Sequence, residues 1–277
     1  MDLIFSDIHA DISALDTIVN LATSAHFTKK YGEFSRVINL GDLLERGTNP
    51  KQVLEKMKKL SENYPMLSVM GNHDESFIYG RNLEGSSFES IAMHRALEEK
   101  ELEFFTKNRE GTFGIQEKID KKNGLVCVHG GPLDPKKIMP ESPENEWLYQ
   151  KTWQRLSDDK EFFSHYGYHY SATSAFSETK TKTKNPIILC GHQHMEAALA
   201  HNKDGVRDIL SEIKIQTEKI GDHVIEKREI SIESDTSYLV RLGLGGPEGH
   251  YGTGEAIPHF GIIQDDQKKI TLFGICK

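Results

Sequence analysis

The chain has 277 residues, 37% hydrophobic and 27% charged, which is enough to bury a substantial core, and no apolar run approaches the length of a membrane span. A net charge of −8 excludes a nucleic-acid groove of the simple basic kind, although a metal ion would still bind an anion locally. Three cysteines, an odd number, make no disulfide framework; Cys127 and Cys190 lie inside apolar runs as buried thiols, and with no leader ahead of Leu3-Ile4-Phe5 a reducing, cytoplasmic setting is expected.

Leu3-Ile4-Phe5 reads as the first strand, followed by a helix with Ile12, Leu15, Val19 and Ala22 on one face and either Asp11 or Ser13 as its cap. A strand over Arg36–Leu40 comes next. The helix over Pro50–Leu60 buries Val53, Leu54, Met57 and Leu60, and Pro50 sits in its first turn, where a missing N–H does no harm. Met66–Met70 closes a β-α-β-α-β run, the pattern of a parallel sheet with right-handed crossovers. Residues Ser86–Asn108 read as one or two helices, with Phe104-Phe105 in the core. Strands around Thr112–Lys118 and Leu125–Val128 flank the turn Lys121-Lys122-Asn123-Gly124. From Pro132 to Pro186 the pattern loosens, apart from a short aromatic-faced helix near Trp147, Tyr149 and Trp153. Asp208–Thr217 and His223–Ile232 read as a hairpin across Gly221-Asp222, and strands at Ser237–Leu242, His259–Ile263 and Lys269–Phe273 follow. A parallel half and an antiparallel half make two sheets packed face to face with helices outside, an α/β four-layer α-β-β-α sandwich. Residues 1–277 read as one domain, with a lid or insertion at about 132–186 and a hairpin excursion at about 205–232.

The chemistry lies at the ends of the apolar runs. Ile4-Phe5-Ser6-Asp7-Ile8-His9, Leu40-Gly41-Asp42, Met70-Gly71-Asn72-His73-Asp74, Val128-His129-Gly130 and Cys190-Gly191-His192-Gln193-His194 each place metal-type donors where a strand gives way to a loop. One such motif is ordinary turn chemistry. Five behind five strands converge, because open α/β sheets bind ligands at the carboxyl ends of their strands. Carboxylates, imidazoles and one amide suit a pair of divalent transition ions, with Asp42 as the bridge.

These residues resemble the signature of the calcineurin-like metallophosphoesterase superfamily, closely over residues 1 to about 195. The resemblance implies that Asp7, His9 and His194 hold one ion, that Asn72, His129 and His192 hold the second, and that Asp42 bridges them. The ions it implies are Mn²⁺ first, with Fe, Zn²⁺ or Ni²⁺ as the other transition-metal choices. A metal-bridging hydroxide would then attack a phosphate ester, with no covalent phosphoenzyme. His73 matches the family histidine that protonates the leaving oxygen. Its anionic partner is either Glu45 or the adjacent Asp74, with Glu45 preferred because it matches the protein-phosphatase branch. Arg46 resembles that branch's phosphate-binding arginine; otherwise it is a surface ion pair.

Two departures bear on substrate. Gly191-His-Gln-His194 carries the extra histidine of a bacterial phosphodiesterase-type branch, and Ala10-Asp11 replaces the usual Gly-Asn. The mixture with Glu45-Arg46-Gly47 also resembles prokaryotic enzymes that cleave dinucleoside polyphosphates. The expected substrate is a phosphorylated small molecule, nucleotide or phosphoprotein, a monoester ahead of a diester; oligomeric state is left open. The rival from another class is a protein-binding scaffold of the retromer-subunit type, against which all the ligand positions are filled here. His165, Tyr166, Tyr168, His169 and Tyr170 form either a substrate lid or a self-packed loop. His94 and the other scattered histidines have no motif context.

Overall fold

A computed structural model describes residues 1–81, 85–106, 115–157, 166–249, 257–264 and 268–276. In chain order it runs β1 (Asp2–Phe5), α1 (Ile12–Thr23), α2 (Ala25–Tyr31), β2 (Arg36–Asn39), α3 (Pro50–Asn63), β3 (Met66–Ser68), α4 (Asn72–Ile78), α5 (Phe88–Arg95) and α6 (Glu99–Thr106). There follow β4 (Glu117–Asp120), β5 (Leu125–Val128), α7 (Pro135–Ile138), a 3₁₀ turn (Glu146–Tyr149), β6 (Arg155–Leu156), β7 (His169–Tyr170), α8 (Ala172–Lys180) and β8 (Ile187–Cys190). The remainder is β9 (Ala197–Asn202), β10 (Gly205–Asp208), β11 (Gln216–Ile220), β12 (His223–Ser231), β13 (Ser237–Arg241), β14 (His259–Gln264) and β15 (Lys269–Cys276).

Two mixed sheets pack face to face. The first has the order β11-β12-β15-β14-β1-β2-β3 and the second β10-β9-β13-β8-β5-β4. Parallel pairing is divided between them: β1, β2 and β3 in the first, β5, β8 and β13 in the second. So the parallel and antiparallel strands do not form one sheet each, as their order in the chain implied.

Side-chain alternation builds the layers, because successive residues of a strand face opposite sides. Ile4 and Ile38 of the first sheet meet Leu125, Cys127, Ile187 and Leu189 of the second between the sheets. Leu3, Phe5 and Val37 face outward onto Leu15, Ile18 and Val53 of α1 and α3. Val126, Val128, Ile188 and Cys190 face outward onto Ala175 and Phe176 of α8. Burying each large apolar side chain contributes about 1.5–3 kcal/mol, so strands apolar on both faces have one stable place, the middle of such a sandwich.

Several boundaries match the residue pattern. Asp11, not Ser13, caps α1, accepting from Ala14 N at 2.9 Å. Pro50 opens α3, and β4 and β5 pair across Lys121–Gly124. The hairpin across Gly221-Asp222 is present as β11 and β12. Its first arm is shorter than expected: Asp208 ends β10, which pairs with β9, and Gln216 begins β11 in the other sheet. The stretch Asp208–Thr217 is therefore a crossing between sheets. The first residues of the expected strand at Thr112 lie outside the described residues.

Candidate metal centre

The ligand-type residues follow the carboxyl ends of parallel strands, on loops except for Asn72, which opens α4, and backbone bonds lace those loops together. Asp7 N donates to Gly41 O at 2.9 Å, His9 N to Asp42 O at 2.9 Å and Ala10 N to Leu43 O at 2.8 Å. In the second sheet Gly191 N donates to His129 O at 2.9 Å. The sheets are joined at the site itself, where His192 N donates to the Asp7 carboxylate at 3.1 and 3.2 Å. Two glycines are required by close approach. A Cβ on Gly71 would lie 2.0 Å from Asp42 Oδ1, and one on Gly191 would lie 1.8 Å from Ser6 Oγ.

The loops are strained. Asp7, His9, Asp42, His192 and His194 have φ of 55°, 48°, 55°, 71° and 60°, and Glu45 and Arg46 have 66° and 69°. Such conformations cost non-glycine residues about 1–3 kcal/mol each and persist where the surroundings over-determine them, as at functional sites.

The side chains form two clusters that share one carboxylate. Asp7, His9, Asp42 and His194 bring ligand atoms within 4.8 Å of one another, and so do Asp42, His129 and His192. The amide Oδ1 of Asn72 is 3.0 Å from His129 Nε2, which places Asn72 with the second cluster.

Whether these donors fit cations follows from their tautomers. His129 Nδ1 lies 2.7 Å from Leu40 O, so it carries the hydrogen and Nε2 presents a lone pair. That lone pair faces two more acceptors, Asn72 Oδ1 at 3.0 Å and Asp42 Oδ2 at 3.1 Å. His9 repeats the pattern: Nδ1 is 3.2 Å from Leu44 O, and Nε2 is 3.2 Å from His194 Nε2. Asp42 Oδ2 and His192 Nε2 are buried without a directed hydrogen-bond partner among the described residues. Acceptors converging in a buried space are reconciled by a proton or a cation, and this set fits divalent ions.

Protonation reflects the same crowding. Burial alone would raise the Asp42 carboxyl, but the imidazoles of His129, His73 and His9 outweigh it and hold it well below its usual value. Burial would lower His129, yet Asp42 and Asp7 push it up to about 9. His192 is driven well below its usual value by burial, with Arg155 and His129 adding to the effect.

His73 stands beside the clusters, with its ring edge-on to His9 at 4.8 Å between centroids. Its Nδ1 is 2.7 Å from Glu45 Oε2. Asp74 has other partners: Oδ1 accepts from Leu43 N and Leu44 N at 2.9 Å each, and Oδ2 from Gly71 N at 3.0 Å. Burial and the Asp42 charge push Asp74 up to about 7. Arg46 is half-buried against Gly85, its Nε buried without a partner, and no described carboxylate lies within ion-pair distance. In the aromatic stretch, Tyr170 is core, its hydroxyl donating to Gly130 O at 2.9 Å, while Tyr166 is exposed. His165 lies outside the described residues.

Sequence reasoning passed over three supports. Asp74 ties the Asp42 loop to the start of α4. Gln193, between His192 and His194, exchanges side-chain bonds with the backbone of Leu156 in β6. His94, set aside for want of a motif, is buried and contacts Glu45 N. Only Asp74 carried a signal, the carboxylate three residues into a helix whose N-cap is Gly71.

The sequence profile of the calcineurin-like phosphoesterases matches residues 3–196. The chain belongs to that family. It is a metallophosphoesterase, a hydrolase of phosphate esters. Among solved structures it is similar to a metallophosphoesterase from Sphaerobacter thermophilus, at 19% identity and TM-score 0.59, covering 100% of this chain and 88% of that one. It is also similar to a hypothetical protein from Pyrococcus horikoshii OT3, at 14% identity and TM-score 0.54, covering 98% and 87%. A third is a protein serine/threonine phosphatase from Saccharomyces cerevisiae, at 15% identity and TM-score 0.50, covering 100% and 80%. At these identities the likeness is one of fold. No curated protein matches the chain. Among the described residues no helix is long and apolar enough to cross a membrane.

Proposed function

We propose that this metallophosphoesterase is a dinuclear phosphomonoesterase acting on a phosphoprotein, nucleotide or phosphorylated small molecule. Asp7, His9 and His194 would hold one ion, Asn72, His129 and His192 the other, and Asp42 both; the observation that carries this is the Asp42 carboxylate, common to both clusters, with a buried oxygen lacking a directed partner. The mixed imidazole and carboxylate donors favour Mn²⁺, with Fe, Zn²⁺ or Ni²⁺ as substitutes. When bound, such a pair polarises phosphoryl oxygens and lowers the pKa of water.

The chain's own residues supply the rest. His73 protonates the leaving oxygen, and Glu45 orients its ring through Nδ1 and gives the protonated ring a counter-charge. Arg46 binds the non-reacting phosphate oxygens. Supporting this is its half-buried guanidinium, whose pKa burial lowers against the opposing pull of Glu45 and Asp42; a cation so placed is stabilised by a bound dianion. A monoester dianion uses that added cation more than a diester does. Cys127 and Cys190, fully buried with thiols pushed up by burial to about 12, take no part and suit a reducing, cytoplasmic setting.

The test is a Mn²⁺-loaded assay on p-nitrophenyl phosphate and on bis(p-nitrophenyl) phosphate. A higher kcat/KM for the monoester is expected; the reverse order identifies a diesterase.

A further inference from the structure

Glu45 stands in a left-handed conformation, φ 66°, on a loop that Asp42 and Arg46 share. A carboxylate on such a loop orients His73 only if the backbone beneath it is fixed. The anchor is a histidine on α5, outside every ligand motif. His94 is 3% exposed. Its Nδ1 lies 2.8 Å from Ser90 O one helical turn back, so Nδ1 carries the hydrogen. Its Nε2 then presents a lone pair, and Glu45 N donates to it at 2.6 Å. Phe77 of α4 packs edge-on against the ring at 5.6 Å, leaving it little room to turn. Next along, Arg46 N donates to Ser86 Oγ at 3.1 Å, just ahead of α5. A hydrogen-bonded line therefore runs from Ser90 O through the His94 ring to Glu45 N, and from the Glu45 carboxylate to His73 Nδ1 at 2.7 Å.

We infer that His94 is a positioning residue for the phosphoester reaction: it fixes the Glu45 backbone, through which the acid His73 is aimed at the leaving oxygen. Among the described residues His94 bonds Ser90 and Glu45 and none of the proposed metal ligands, so its loss is expected to act on leaving-group protonation rather than on ion binding. This rests on the acid role proposed for His73. A neutral imidazole is needed because one nitrogen must donate while the other accepts. Glutamine can offer Oε1 to Glu45 N from a similar distance; alanine cannot.

The test compares Mn²⁺-loaded parent, His94→Ala, His94→Gln, Glu45→Ala and the double variant His94→Ala/Glu45→Ala on p-nitrophenyl phosphate and phenyl phosphate, with metal content measured for each. His94→Ala is expected to keep the parental metal content and to lose about 10²-fold in kcat on phenyl phosphate, the scale of a displaced catalytic group. It should lose far less on p-nitrophenyl phosphate, whose leaving group needs little protonation. His94→Gln should recover most of the loss, and the double variant should be no slower than Glu45→Ala, since both changes break one line. A steep leaving-group dependence for Glu45→Ala beside a flat one for His94→Ala overturns this inference alone. So do additive losses in the double variant, or a His94→Gln enzyme no better than His94→Ala. A flat dependence for Glu45→Ala removes the acid reading, and this inference with it.

Discussion

At the scale of single residues, Asp42 carries the most. It bonds the backbone of His73 at 2.8 Å through one oxygen and turns the other to the imidazoles of His129 and His9, at 3.1 and 3.8 Å, so removing its charge disturbs both clusters. Purified without chelator, the parent should contain about two divalent ions per chain. Asp42→Asn should contain far less; elemental analysis that finds no stoichiometric metal in the parent refutes the dinuclear reading. As one of the proposed ligands, His129 would make loading depend on pH. Its pKa is raised to about 9 without an ion, so below that pH it is a cation that must lose its proton to bind one. Apparent affinity should therefore rise with pH and level off above about 9, with proton release measurable by calorimetry in buffers of different ionisation enthalpy. His73→Ala should keep its ions and lose about 10²–10⁴-fold in rate, more for poor leaving groups. Arg46→Ala should lower kcat/KM for monoesters by about 1.5–3 kcal/mol, one charge-assisted hydrogen bond, and disturb diesters less. Equal losses on both would mean that Arg46 does not hold the monoester's extra charge.

At the scale of elements, the start of α4 decides whether the site forms. Asn72 through Ser76 are all buried there, an unusual run of polar residues for a helix interior. Asp74 makes it tolerable by accepting three backbone N–H groups, from Gly71, Leu43 and Leu44. A buried donor left without a partner costs about 1–3 kcal/mol, so Asp74→Ala should unfold several kcal/mol more easily and bind metal poorly. Asp74→Asn keeps an acceptor for Leu43 and Leu44 but turns an N–H towards Gly71, and thermal melts should place it between the two. Here the limit of the sequence is visible. The ligand-type residues were legible because each follows an apolar run, and the strands because both of their faces are apolar. Helix α4 was not, since Asn72, His73 and Asp74 disfavour helices and their partners lie on another loop. Likewise α8, where Ala175 and Phe176 are buried among more polar neighbours, lacks the apolar stripe that betrayed α1 and α3. His94 was invisible for a further reason: its partner is a backbone N–H 49 positions away, which no side-chain pattern encodes.

At the scale of the whole molecule, the ions would join two sheets. Asp7, His9, Asp42 and Asn72 leave the first, and His129, His192 and His194 leave the second. An ion that binds only when both are in place stabilises the fold by mass action, about 2.7 kcal/mol at a hundred times its Kd. Melts should rise with added Mn²⁺ and fall with EDTA, and Asp42→Asn should show no such shift. The bond from His192 N to the Asp7 carboxylate spans 185 positions of chain. Contacts so distant in sequence close late in folding, after their loop entropy has been met by the layers on either side. During synthesis, Asp7 and Asp42 would emerge as neighbouring carboxylates well before the strand that leads to His192 and His194 exists. The metal site is therefore expected to close last: a nascent chain that stalls before residue 187 carries Asp7, His9, Asp42, Asn72 and His129 but lacks His192 and His194.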